Sequence, residues 1–329
     1  MERAAANPAF AALNRILARS VVRTKISLAL ALAVIVGLGV FAQERPTFKS
    51  SVDLVPISAV VRDGHNRLVT TLNAEDFQVM DNGVRCKILD FHRDQTSPMT
   101  VALLVDVSGS MKIGPKLAFA RSVLDQMTVE LTDGRDEAGL FTFDTALHVQ
   151  QPFTTHPGSI GPHFDEVEPF GTTSLYDAVA ETARIVARRS SLRRAVIVLT
   201  DGIDTSSELT PAEVSGLASS IDVPVYIVVT VPPIDADKRM PHPEEPLPRQ
   251  ADLRDLAQWT GGDLHVATSA EEAGLKAHYL VRELRQQYLL AVEASDRFEW
   301  RRLDVRVRDR KYTVRSRNGY FGRETSTSK

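Results

Sequence analysis

Cysteine is almost missing from this chain: there is one thiol, Cys86, in 329 residues. A single thiol cannot close an intramolecular disulfide, and no Cys/His spacing suited to zinc accompanies it. Cys86 reads as a buried, inert thiol. A charge excess is missing too. Lys and Arg number 39 against 42 Asp and Glu, mixed along the chain, for a net charge of −3. That balance excludes the basic footprint of a nucleic-acid binder. There is no phosphate-binding or dinucleotide glycine fingerprint, no G-x-S-x-G elbow and no internal repeat. What is present is ordinary globular material, 43% hydrophobic and 25% charged, with enough apolar residues for a sizeable core and a length of about two domains.

The N-terminus carries a different signal. Arg3, Arg15, Arg19, Arg23 and Lys25 precede an apolar run, Ile26–Ala42, whose only polar residue is Ser27. A basic leader before such a run reads as an export signal or an N-terminal membrane anchor, with the basic end cytoplasmic. At 17 residues the run lies at the short edge of the roughly 17–25 that a spanning helix needs. Val40-Phe41-Ala42 offers small residues for cleavage after Ala42, whereas the length of the leader favours retention. Either outcome places residues 43–329 outside the cytoplasm, as a periplasmic, envelope or secreted protein.

Residues 43–97 read as a small β domain. Val52–Val61 is rich in β-branched residues, and Pro56 within it points to an edge strand. Asp81-Asn82-Gly83 is a hairpin signal between Phe77–Met80 and Val84–Phe91. His65 and His92 read as surface residues. From Met99 the pattern changes to strands alternating with helices. Thr100–Val105 and Ala195–Leu199 are continuous apolar runs suited to central strands buried on both faces. Lys116–Leu131 and Leu175–Arg188 have helical periodicity, and Leu147–Phe153 reads as an antiparallel edge strand. The alternation predicts an α/β fold with a doubly wound, mostly parallel sheet over residues 98–270. A helix from Glu271 and a C-terminal β segment complete residues 271–329, whose run of basic residues from Arg301 to Arg317 reads as a solvated strand face. Small β-structure therefore flanks the main domain at both ends.

In a sheet of this kind, ligands bind at the carboxyl ends of the strands, near the point where strand order reverses. Asp106-Val107-Ser108-Gly109-Ser110 follows directly on the first buried strand. Asp201-Gly202 follows on Ala195–Thr200, and Gly171-Thr172-Thr173-Ser174 opens into a helix between them. The topology brings these three loops to one sheet edge. Two carboxylates, Asp106 and Asp201, and three hydroxyls, Ser108, Ser110 and Thr173, make an oxygen-only donor set. Such a set suits Mg²⁺, with Mn²⁺ or Ca²⁺ also compatible, rather than zinc or copper. Two carboxylates neutralise a divalent cation and the hydroxyls add no charge, so the ion remains electrophilic towards a further carboxylate.

The D-x-S-x-S motif at 106–110, the T-x-L-Y-D-A loop at 173–178 and the strand-T-D-G segment ending at Gly202 resemble the von Willebrand factor A domain and its metal-ion-dependent adhesion site. The portion after the leader is similar to bacterial exported proteins related to that family. The resemblance implies that Asp106, Ser108, Ser110, Thr173 and Asp201 hold the cation, with the acids often acting through water. It also implies that an open position on the metal accepts an Asp or Glu of a protein partner. Thr172 departs from the family pattern, standing where many members have glycine, and implies a stiffer loop.

A hydrolase reading finds little support: Ser108 stands where a phosphoryl-transfer site would want a second acid, and no pattern makes His148, His156 or His163 its base. The chain therefore reads as non-enzymatic. The leading expectation is an extracytoplasmic, metal-dependent protein-binding module. The alternative is an envelope scaffold whose metal only stabilises the loops. The proline-rich segment 231–250 reads as a recognition loop or a connector, and the tail ETSTSK as disordered.

Overall fold

Residues 54–93, 95–231 and 248–322 are described by a computed structural model, and all of them fall in one compact unit, Val52–Lys329. The leader and its apolar run, nearly all of the proline-rich segment and the ETSTSK tail lie outside the described residues. Among the described residues no helix is long and apolar enough to cross a membrane.

The chain order is β1 (Leu54–Arg62), β2 (Phe77–Asp81), β3 (Val84–Cys86), β4 (Ile88–His92), β5 (Met99–Asp106), α1 (Lys116–Glu130), β6 (Glu137–Phe143), β7 (Leu147–Thr154), α2 (Ile160–Asp165), α3 (Leu175–Ala187), β8 (Arg193–Thr200), α4 (Pro211–Ser220), β9 (Val225–Thr230), α5 (Pro248–Trp259), β10 (Leu264–Ala267), α6 (Ala270–Arg285), β11 (Tyr288–Glu293), β12 (Trp300–Val307), β13 (Thr313–Arg315) and β14 (Gly319–Phe321). The expected α/β architecture is present. Six strands form one sheet in the order β10-β9-β8-β5-β6-β7, parallel except for β7, which pairs antiparallel at the edge.

All eight residues of β5 are buried, and the two-residue period of a strand sends alternate side chains to opposite layers. Val101, Leu103 and Val105 join Phe119, Val123, Leu124 and Met127 of α1 and Leu280, Val281 and Leu284 of α6. Ala102 and Leu104 face Val179, Ala183 and Val186 of α3, with Val214, Leu253 and Leu256 beyond. Helices on both faces explain why the central strands read as unbroken apolar runs. Burial of each such Val or Leu contributes about 1.5–3 kcal/mol. The strand order reverses at β5, with β6 on one side and β8 on the other.

The flanking β segments are not two independent pieces. They interleave as two four-stranded sheets, β13-β1-β11-β4 and β14-β12-β2-β3, around a shared core that includes Ile57, Val61, Phe77, Val79, Tyr288, Leu290, Val305 and Tyr320. The β2–β3 hairpin turns at Asn82 (φ 46°) and Gly83 (φ 82°), as its Asn-Gly pair predicts. Pro56 is a partial exception to its edge reading. β1 lies inside its sheet, but β13 pairs only with Val60–Arg62, so at Pro56 the strand has β11 alone as a neighbour. The missing amide therefore costs no ladder bond. Cys86 also differs from expectation: it is partly exposed rather than buried, because β3 is an edge strand.

The C-terminal basic run divides between two environments. Arg306 and Arg308 are solvated, whereas Arg315 and Arg317 turn inward. Arg62 and Arg315 both donate to Glu283 of α6, whose side chain is almost fully buried. Arg315 also pairs with Asp263 at 2.6 Å. The Arg317 guanidinium, 2% exposed, donates to the Ser219 and Pro56 carbonyls and lies 3.3 Å from Asp222. Gly261 makes room for this seam: at φ +90°, a Cβ there would stand 2.9 Å from the Arg317 amide nitrogen.

Glu283→Gln leaves two inward-facing guanidinium groups without their shared carboxylate. It should destabilise the protein by about 3–5 kcal/mol in denaturant melts, whereas Arg67→Ala, which breaks the exposed pair with Asp63, should cost no more than about 1 kcal/mol. Equal losses would show that the seam does not depend on Glu283.

Candidate metal centre

The five expected residues lie on three loops at the carboxyl ends of β5 and β8 and at the start of α3. Asp106 ends β5, and a short 3-10 turn, Gly109–Lys112, carries the chain to α1. Thr173 stands two residues before α3, and Asp201 follows β8 directly. Asp106, Ser108, Thr173 and Asp201 are 0%, 1%, 3% and 5% exposed; Ser110 is only partly buried. The acids sit where the sheet stops providing backbone partners.

Hydrogen bonds between the loops bring these residues together. Asp106 Oδ1 accepts from the Ser108 amide at 2.9 Å, and Oδ2 accepts from Thr200 Oγ1 at 2.7 Å. The Gly202 amide donates to that same threonine oxygen at 3.0 Å, which couples the end of β5 to the loop carrying Asp201. The Gly109 amide donates to Gly171 O at 3.0 Å and the Phe170 amide to Val107 O at 2.8 Å, joining the first loop to the one carrying Thr173. The Ser108 and Ser110 hydroxyl oxygens lie 3.1 Å apart. Thr172, the departure from the family pattern, bonds Thr145 Oγ1 at 3.3 Å and Ser206 Oγ at 3.0 Å. Its hydroxyl cross-links three loop segments.

Sequence reasoning missed two supporting features. One is the segment Asp204–Ser207. Thr205 Oγ1 accepts from the Thr173 amide at 2.9 Å, Asp204 Oδ1 from the Leu175 amide at 2.9 Å and Ser207 Oγ from the Tyr176 amide at 2.9 Å. These contacts satisfy orphan amides of α3 and place a carboxylate at its positive end. In sequence they are an unremarked run of turn formers. The other is Lys116, whose ammonium lies 2.8 Å from Asp201 Oδ2 with both side chains buried. Lys116 falls on the same helical stripe as Ala120, Val123 and Met127, which bury in the core, but nothing local in the sequence names its carboxylate partner.

The electrostatics are uneven. Burial, opposed by hydrogen bonds from Ser108 and Thr200, pushes the Asp106 carboxyl up from 3.8 to about 6. A cation would relieve that cost. Among the described residues no three His, Cys, Asp or Glu side chains cluster as ligands, so an ion here must use the hydroxyls together with the two acids. The donor set is all oxygen and fits a hard cation. Each carboxylate oxygen has a second lone pair beyond the bonds just described. Ser108 has Ser110 as its hydroxyl partner, not a histidine. His148, His156 and His163 are exposed, and His148 sits 3.2 Å from Asp144. Two large apolar side chains stand out at the rim, Phe170 and Ile113, 77% and 62% exposed.

Residues 101–203 match the model of the von Willebrand factor type A domain. No curated protein matches the chain. Among solved structures, the chain is similar to a von Willebrand factor type A protein from Catenulispora acidiphila (13% identity, 85% of this chain and 76% of that one, TM-score 0.48). It is also similar to the conserved hypothetical protein BatB from Bacteroides thetaiotaomicron (17% identity, 56% and 98%, TM-score 0.45). A third is proximal thread matrix protein 1 from the mussel byssus, with a zinc-occupied MIDAS motif (18% identity, 62% and 49%, TM-score 0.46).

The raised Asp106 carboxyl has a pH consequence in the metal-free protein. Its folded value lies above the unfolded one, so the stability it contributes is complete below about pH 4 and is lost as pH rises through about 6. With chelator present, the melting temperature of the wild type relative to Asp106→Asn should fall across that window and level off above it. A difference that stays flat with pH would contradict the assignment.

Proposed function

We propose that this chain is a metal-dependent protein-binding module, from the premise that residues 101–203 match the von Willebrand factor type A domain, a kind of module that typically mediates protein interactions. In this reading Asp106, Ser108, Ser110, Thr173 and Asp201 hold a divalent cation, Mg²⁺ in preference to Mn²⁺ or Ca²⁺, within the domain at 98–270. When bound, the ion supplies a Lewis-acidic position for an Asp or Glu of a partner protein. The observation that carries the reading is the joining of three ligand-bearing loops at the strand-order reversal, with two acids and three hydroxyls on them.

The chain's own residues perform the rest. Thr200 and the Ser108 amide orient Asp106. Thr205 holds the Thr173 backbone, and Thr172 ties the loop across to Thr145 and Ser206. Phe170 and Ile113 offer apolar contact beside the ion position, so the preferred partner segment carries an acid flanked by apolar residues. Among the described residues the Ser108 hydroxyl lies beside Ser110 and not beside a histidine, which favours recognition over turnover. The basic leader and the apolar run 26–42 support an extracytoplasmic location, with membrane attachment through that run where it is retained.

A scaffold reading, in which the ion only firms the loops, draws on how completely those loops are already hydrogen-bonded. The two readings part on one experiment. Partner capture from cell-envelope extracts in Mg²⁺ should be abolished by chelator and by Asp106→Ala, while circular dichroism shows the fold intact. Phe170→Ala should weaken capture about tenfold, the loss of one well-buried apolar contact. Capture that survives both chelation and Asp106→Ala, with only the melting temperature lowered, would favour the scaffold instead.

A further inference from the structure

Lys116 is not explained by the donor set. Its side chain is 4% exposed and that of Asp201 1%, with 2.8 Å between Nζ and Oδ2. Nζ also reaches the Ser110 carbonyl at 3.3 Å. An ammonium in the first turn of a helix opposes the helix dipole, and burying one is unfavourable unless a carboxylate compensates it. Its compact charge and three donors match a small cation more closely than a guanidinium would. It thus meets the carboxylate of one expected ligand and the backbone of another, on the Asp201 side of the centre.

We propose that Lys116 is a tethered resident cation of this centre, which balances Asp201, keeps the loops assembled without metal and weakens the binding of a divalent ion. The proposal rests on the metal reading given above and deepens it. With two uncompensated carboxylates, a divalent ion would be neutralised. With Asp201 shared with an ammonium, one net positive charge is left over. The centre then holds its ion less tightly but attracts an incoming carboxylate more strongly. Lys116 acts through Asp201 and is a positioning residue.

The test is calorimetric titration of Mn²⁺ into the full-length wild type, Lys116→Met and Lys116→Gln, with thermal melts in chelator and in Mn²⁺. Both variants should bind Mn²⁺ about tenfold or more tightly than wild type, melt lower in chelator and gain more from the ion. A purely structural lysine would give the opposite sign, because its loss would loosen the ligands. Variants that fold only when Mn²⁺ is added support the proposal, since the ion then replaces the ammonium. Affinity unchanged or weakened, or variants that fold under neither condition, overturns it while the wild type's own binding preserves the metal reading. Absence of Mn²⁺ binding in all three proteins sinks the metal reading and this inference with it.

Discussion

The structure of the centre depends on one constraint: a carboxylate with no solvent exposure stands at the end of the central strand. Asp106 has left the hydrophobic part of β5 but has not reached water, so its oxygens must find donors in the protein. Thr200 Oγ1 and the Ser108 amide supply them, and each donor commits a piece of chain. Thr200 brings in the end of β8 and, through the Gly202 amide, the loop carrying Asp201. Ser108 forces the tight path that places Ser110 beside it and leaves the Gly109 amide aimed at Gly171. A buried acid that must be satisfied thereby organises three loops far apart in sequence.

Charge balance is the second layer. Two acids lie close to one another, and the buried ammonium of Lys116 faces only one of them. Burial makes Asp106 the group whose ionisation is unfavourable, whereas Asp201 is compensated within the protein by that ammonium. Around this polar centre the surface changes character: Phe170 and Ile113 expose apolar area, and Thr172 and Thr145 are exposed threonines. Under the proposed binding function, a polar floor with an apolar rim would discriminate between partner segments as well as attract them.

Much of the arrangement was legible in the sequence because the sheet is covered on both faces. Double coverage makes β5 and β8 continuous apolar runs, and the acids then stand out as the first polar residues beyond them. The three loops could be assigned to one edge because parallel strands put their carboxyl ends on the same side. What was not legible had a common physical cause, namely that long-range pairing leaves no local mark. Lys116 looks like any helical surface lysine until α1 is rotated against the sheet. Arg315 and Arg317 look like their solvated neighbours Arg306 and Arg308 until β13 is seated over α6 and the loop at Gly261. Pro56 reads as an edge residue, and it does border an open edge, within a strand that is interior a few residues later.

The interleaving of the two β segments bears on how the protein comes into being. β1 pairs with β11 and β2 with β12, and roughly 230 residues of chain separate the paired positions. During synthesis the early strands emerge long before their mates and present unpaired edges in the interval. The six-stranded sheet has its own core and no need to wait. α6 packs on that sheet and ends directly before β11, which places β11 beside β1. The sandwich can close only once β11 to β14 are available, and every strand of the central sheet precedes them in the chain.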